Sequence, residues 1–282
     1  MSFTMNPFAV LSDTIPAAVM QAYVVVMFLL VVGGTIADMV HKRSAQYFFE
    51  NAEKAKKARV KNVGGAHKAG IAVQTIAADV LTSAEFCNQR RRVAHLLGMY
   101  GFVSFLVATI AMVFFYPSPA MATPAVWPVL WHLGALMVII GGGWFWFFIR
   151  VDVSAEGHPW HRIVRADLFI LSLIATNLFG LIWSAAQASG WNAWSSIFLA
   201  LFILSSLVLF GGVLWSKFAH MFFKPAAAFQ KRVAKADGSM DNLPAPADRS
   251  NPADRDRHSM ELLKDAPLNM GLGIKRERPQ HY

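Results

Sequence analysis

The sequence predicts an all-α integral membrane protein, a five-transmembrane-helix bundle, and three observations predict it. The 282-residue chain is 55% hydrophobic and only 15% charged, well under the roughly 25% charged residues of soluble domains. Charge is also excluded from long blocks: residues 93–149 contain no Asp, Glu, Lys or Arg, and neither do residues 168–216. A spanning helix needs about 20 apolar residues, so each block holds two helices, and the stretch around Ile15 to Ala37 adds a fifth. The third observation is the sorting of the cations. Of the 26 Lys and Arg residues, eleven lie between 41 and 94, three are Arg150, Arg162 and Arg165, and twelve follow from Lys217 onward. The segment before the first helix and the turns around 117–126 and 187–192 hold none. The positive-inside rule then places the N-terminus outside and the C-terminus in the cytoplasm. The same sorting assigns the formal charge of +9 to a membrane face and not to nucleic acid.

The chain divides accordingly into residues 1–40 (an outer tail and helix one), 41–94 (a basic cytoplasmic loop), 95–220 (a four-helix membrane core) and 221–282 (a mostly disordered cytoplasmic tail). Helix one is expected from Pro16 to Val40, with Asp38 and His41 at its inner end. It lacks a cationic n-region and is too long for an h-region, which reads as an uncleaved span. Gly33-Gly34 reads as a helix-packing contact, since small residues let membrane helices approach closely. In the basic loop, Glu50 to Lys61 is a strong helix former, Gly64-Gly65 breaks it, and Ile71 to Thr82 has the pattern of an amphipathic helix lying against membrane or partner.

Helix two is expected from Val93 to Phe115, after Arg90-Arg91-Arg92, with His95 in its first turn. Pro117, Pro119, Pro124 and Pro128 mark the following turn. Helix three covers Val126 to Ile149, with His132 near its outer end; helix four covers Val164 to Ala186, with Asp167 in its first turn, where it favours the helix dipole. Helix five is expected to end at His220, inside Ser216-Lys217-Phe218-Ala219-His220-Met221-Phe222-Phe223-Lys224-Pro225. Beyond Ala226, Pro, Asp, Arg, Ser and Asn dominate, as in a disordered tail, with Leu262 to Leu272 as a short docking motif inside it.

Ionisable residues at membrane depth carry a functional reading by default, and topology sorts the histidines. His95 and His220 both stand near the cytoplasmic face, at similar depth. They read either as the axial pair of a b-type haem held between helices or as interfacial residues touching headgroups, water or each other. His132, at the opposite face, has no histidine partner at its depth and reads as a packed residue. His158 and His161 flank Pro159 without a further Cys, Asp or Glu ligand, a weak metal signal. His41, His67, His258 and His281 read as solvent or tail residues. Arg90, Arg91, Arg92, Lys217 and Lys224 line the inner face, where they either hold a haem propionate, a quinone head group or an acidic partner, or simply obey the positive-inside rule. Cys87 is the single cysteine, which excludes a disulfide framework, a zinc site and a cysteine-ligated iron–sulfur cluster. There is no Ser/His/Asp triad, Walker loop, dinucleotide fingerprint or carboxylate dyad, so any chemistry is redox chemistry at a bound cofactor or quinone. A small transporter is disfavoured, because the spans lack paired internal charges and five helices do not divide into inverted repeats.

Two stretches carry a resemblance. Asp79-Val80-Leu81, Cys87, Arg91-Arg92-Val93-Ala94-His95-Leu96-Leu97 and Tyr100-Gly101-Phe102 resemble the entry to the second helix of cytochrome-b-like anchor subunits. That family includes membrane subunits of the quinone-interacting oxidoreductase, of the sulfite-reduction-associated complex and of heterodisulfide reductase, with distant similarity to the gamma subunit of respiratory nitrate reductase. Ser216 to His220, followed by Pro225, resembles the motif ending the family's fifth helix. Asp167 to Gly180 fits the fourth more loosely, and the similarity covers about residues 70–230. The resemblance implies haem ligation by His95 and His220. It also implies a departure: Phe105 stands ten residues after His95, and the outer half of helix five, around Phe202, has no histidine, so ligands for a second, outer haem are missing. The family's occasional cysteine-rich ferredoxin-like domain is absent too.

A reduced anchor with a long basic loop is similar to the membrane subunit accompanying adenylylsulfate reductase in sulfur-oxidising bacteria. The resemblance implies a multi-pass subunit of the bacterial cytoplasmic membrane that tethers a cytoplasmic iron–sulfur/flavin enzyme. It relays electrons to membrane quinone, through one haem b or, alternatively, as a haem-free anchor whose partner reduces quinone directly. A further alternative is a nitrate-reductase-gamma-like cytochrome b subunit of another respiratory complex.

Overall fold

The computed structural model describes residues 3–41, 44–84, 86, 88–152, 157–216, 220–241, 243 and 251–253. Nine helices succeed one another among these residues, and no strand. They are α1 (Pro7–Leu11), α2 (Ala17–His41), α3 (Ser44–Ala58), α4 (Gly65–Thr75, continued by a π-helical turn, Ile76–Leu81), α5 (Gln89–Phe114), α6 (Val126–Trp144, continued by a π-helical turn, Phe145–Ile149), α7 (Leu168–Ala188, entered by a 3₁₀ turn, Arg165–Asp167), α8 (Asn192–Gly211) and α9 (His220–Asp237). Five of them, α2 and α5 to α8, are long and apolar enough to cross a membrane. The protein is a multi-pass membrane protein.

Small residues set the closest helix contact, between α5 and α6. A Cβ added to Gly101 would stand 2.7 Å from the Gly134 carbonyl oxygen, and one on Gly134 would stand 2.7 Å from that of Gly101. One turn pair further, a Cβ on Gly141 would meet the Ala94 carbonyl oxygen at 2.6 Å. Backbone touches backbone along this seam, the approach small residues permit in membrane bundles. Of the Gly33-Gly34 pair, Gly34 does pack closely, on Val213 just after α8, whereas Gly33 faces open space.

One half of the bundle is filled by aromatic rings. Phe105 stacks on Trp131 with centroids 4.9 Å apart, and Trp183 stacks on Phe202 at 5.7 Å. Phe8 from α1 meets the edges of Trp131 and Trp183. Trp131 donates from Nε1 to Thr109 Oγ1 at 3.0 Å, which satisfies its one polar atom. The N-terminal tail is therefore not a bare tail: α1 inserts Phe8 and Leu11 into this cluster. Asn6 caps it, accepting from Phe8 N and Ala9 N while donating to Tyr116 O at 3.0 Å and Thr123 Oγ1 at 3.1 Å. Asn-Pro before an apolar run is a readable helix start.

Two further expectations are corrected at the opposite end. Helix five closes at Gly211, followed by a turn at Gly212, and does not run to His220. His220 instead opens a new helix, α9. The residues after 220 are accordingly helical as far as Asp237. That stretch is held by tertiary contacts: Arg232 forms a forked ion pair with Asp79, at 2.9 and 3.1 Å, and Gln230 Nε2 donates to Phe48 O at 3.2 Å. The backbone N–H groups of Val60 and Lys61 both donate to Asp237 O at 3.0 Å. Helices α3, α4 and α9 thus form a cap on the end of the bundle that carries Arg90-Arg91-Arg92. The proposed docking motif at Leu262 to Leu272 lies outside the described residues.

Candidate functional site at the basic end

His95 sits in the second turn of α5, whose start is capped by Asn88 accepting from Arg90 N and Arg91 N. Its exposed ring is held by the loop that precedes the helix. Ser83 Oγ lies 3.0 Å from His95 Nδ1, and the Phe86 ring packs 4.9 Å from the imidazole. Ser83 is fully buried and has φ +48°, the left-handed region that a serine rarely adopts. The loop keeps this costly conformation because its neighbours fix it. Arg92 Nε donates to Thr82 O and Tyr100 Oη to Leu81 O, both at 2.7 Å. Strain of this kind concentrates at functional positions.

Helix α9 arrives at the same place. Lys224 Nζ lies 5.2 Å from the centre of the Phe86 ring, the ring that also packs against His95. Phe223 packs against the core cluster of Phe102, Val138, Leu173, Leu209 and Val213. His220 stands one helical turn before Lys224 at the N-terminal end of α9. Its side chain and Lys217 lie outside the described residues. Of the sequence-predicted group, His95, Arg92 and Lys224 are therefore gathered around one loop. Arg91 is half-buried beside them at the helix start.

An imidazole that binds a metal through one nitrogen is ordinarily held by a hydrogen bond at the other, and Ser83 is placed to accept from Nδ1–H. His95 fits an axial ligand in that respect. Ten residues further along α5, Phe105 occupies the interior with Trp131 and Phe202, so aromatic rings fill the level where a second pair of ligands would stand.

Three further histidines are engaged elsewhere. His132 is fully buried, with Nδ1 2.7 Å from Pro128 O and Nε2 2.9 Å from Ser184 Oγ. The carbonyl needs a donor, so Nδ1 carries a proton. The loop histidines do not converge with a third ligand: His158 acts through its carbonyl, which accepts from Arg150 Nη1 at 3.3 Å, and His161 rests against Trp160. Among the described residues no group of three or more His, Cys, Asp or Glu side chains comes together to hold a metal.

Arg150 and Asp167, read from the sequence only as a loop cation and a helix-dipole residue, form a buried ion pair. Arg150 donates from Nε to Asp167 Oδ1 at 3.1 Å and from Nη2 to Oδ2 at 2.5 Å. Its remaining N–H groups reach the carbonyls of His158, Pro159 and Arg162. Trp146 lies against the guanidinium at 4.2 Å. All five donors are used, so this arginine has none left for a ligand.

The cap also merges two basic runs. Lys54, Lys56, Lys57, Arg59 and Lys61 are exposed on and after α3, and Lys231 and Lys235 are exposed on α9. The bonds from Val60 and Lys61 to Asp237 bring the ends of the two runs together. The nearby acid Glu53 pairs loosely with Lys56, at 3.7 Å between exposed side chains.

The chain matches no protein-family profile, no curated protein and no solved structure.

Proposed function

We propose that this protein is the membrane anchor subunit of a cytoplasmic iron–sulfur/flavin reductase of sulfur metabolism, of the adenylylsulfate reductase type. In this reading it lies in the bacterial cytoplasmic membrane with its N-terminus outside and its basic cap in the cytoplasm. It relays electrons between the reductase and membrane quinone through one b-type haem held by His95 and His220. The observation that supports it most is His95 itself. A histidine at the basic end of a membrane bundle is oriented by a buried serine in a strained loop, beside the helix that His220 opens. The joined basic runs of α3 and α9 supply an electropositive surface of the kind that speeds and orients docking of an acidic partner. The resemblance of residues 70–230 to cytochrome-b-like anchors supplies the chemistry, and the cation distribution supplies the orientation.

A bound haem supplies a one-electron relay. The protein's own contribution is to orient the His95 ring through Ser83 and to shield it with Phe86. Lys224, Arg91 and Arg92, with Lys217 from the sequence, are the cations that would pair with haem propionates or donate to the carbonyl oxygens of a quinone.

A reduced-minus-oxidised visible spectrum of the purified chain, with haem quantified, tests the reading. One b-type haem per chain, lost in both His95→Ala and His220→Ala, is the expected result. A well-folded preparation without haem overturns the relay and leaves a haem-free anchor whose partner meets quinone directly. Failure of any iron–sulfur flavoprotein to co-purify from native membranes overturns the anchor as well.

A further inference from the structure

Helix α4 with its π-helical continuation, residues 65–81, is turned the wrong way round for a helix packed in a water-facing cap. Such helices bury apolar residues and show polar ones to solvent. Here the side turned to the protein carries Thr75, which is buried, and Asp79, which takes the forked ion pair from Arg232 on α9. Ile71 joins them inside. The outward side carries Ala66, Ala69, Val73, Ile76, Ala77 and Leu81, spaced by three and four residues for most of its length. Val73 is 67% exposed, Ile76 54% and Leu81 48%. The stripe itself contains no charged residue, and His67, Lys68 and Gln74 are the exposed polar residues elsewhere on this helix.

The stripe is also attached to a surface that faces lipid. Val93, Tyr100, Val103, Val107 and Phe114 are exposed along one side of α5 at near-heptad spacing. In a spanning helix an exposed apolar side of this kind faces acyl chains. Tyr100 belongs to that side, and its hydroxyl donates to the carbonyl of Leu81 at 2.7 Å. The end of residues 65–81 therefore rests on the lipid-facing side of a spanning helix, beside the arginines at 90–92 that mark its entry.

We infer that residues 65–81 lie in the plane of the membrane interface, with Val73, Ile76 and Leu81 buried in the boundary between headgroups and acyl chains. The occupant of the stripe is the bilayer. An amphipathic helix with a polar protein side and an apolar outer side binds membranes in this way. The contact couples the bilayer to the Ser83 loop, because that loop begins where the interfacial helix ends. The inference holds whether or not a haem is bound.

Nitroxide labels test it in the full chain, reconstituted alone in phosphatidylcholine/phosphatidylglycerol nanodiscs. Cys87→Ser removes the single native thiol, and labels are placed by Val73→Cys and Ile76→Cys. Lys57→Cys on the exposed cap and Val107→Cys on the spanning side are the references. The expected result is that Val73 and Ile76 labels favour molecular oxygen over a water-soluble nickel chelate, shifted toward the Val107 label. A ratio matching the Lys57 label overturns the inference, since the stripe then faces water. Low accessibility to both reagents also overturns it, because protein then covers the stripe. A chain without substitutions gives a second reading with a lipid carrying an acyl-chain diazirine. The peptide of residues 65–81 is expected to carry the adduct, and its absence where α5 peptides carry it counts against the inference.

Discussion

Arg150 grips Asp167 with two parallel hydrogen bonds, Nε to Oδ1 and Nη2 to Oδ2, and both side chains are withdrawn from solvent. Asp167 Oδ2 also accepts from Val164 N at 2.8 Å, so the pair ties the end of α6 to the entry of α7. Removing one partner of such a pair strands a buried charge, which costs about 3–5 kcal/mol. Arg150→Met and Asp167→Leu are each expected to lower the unfolding midpoint of the detergent-solubilised protein steeply. The double variant is expected to recover part of the loss. Thermal unfolding followed by near-ultraviolet dichroism checks both, and additive losses in the double variant would sink the pairwise account.

The α5–α6 seam makes a paired prediction. A methyl at Gly134 would drive into the Gly101 carbonyl oxygen and Phe105 N, whereas a methyl at Gly143 meets nothing within 4 Å. Gly134→Ala is expected to cost about 1–3 kcal/mol, as overpacking does. Gly143→Ala should leave stability unchanged or raise it slightly, since Ala is the better helix former. Equal unfolding midpoints for the two variants would show that the seam is not in contact.

Asp79 and Arg232 join α9 to the cap, and they are only partly shielded, with side-chain exposures of 12% and 30%. The strength of such a pair lies between the ~0–1 kcal/mol of surface bridges and that of buried ones. Asp79→Asn should therefore leave the bundle folded while increasing deuterium uptake over residues 220–237. Raised salt should loosen the wild-type helix in the same direction, and the variant less.

His132 contrasts with the two histidines proposed to ligate haem. Both of its ring nitrogens are engaged inside the protein, by Pro128 O and Ser184 Oγ. His132→Ala strands those two groups, at about 1–3 kcal/mol for each buried group left unpaired. The variant is expected to lose stability while its haem content per chain stays at the wild-type level. Loss of haem from a stably folded His132→Ala protein would move the site to the other end of the bundle.

Much of the architecture is legible in the sequence. Four of the five spans stand within a few residues of their expected places, because lipid forbids charge over about 20 residues and that exclusion is a local property of sequence. The small N-terminal helix was missed, since residues 1–14 read as an outer tail, although Asn6-Pro7 before an apolar run is the signal that marks it. The place of His95 at a helix entry was readable. The serine that holds it was not, since a left-handed Ser83 has no sequence signature.

What the sequence by itself determined is thus the membrane class, the number of spans and the ends at which charge gathers. All of these follow from the cost of placing charge and unpaired backbone in hydrocarbon. Tertiary structure alone decided which residues meet across long separations. Arg150 finds Asp167, Arg232 finds Asp79, and the basic runs of α3 and α9 join at Asp237. The ordering of α9 has the same origin. The charged part of α9 is fixed by Asp79, 153 residues away in the chain, and a local pattern does not name that partner.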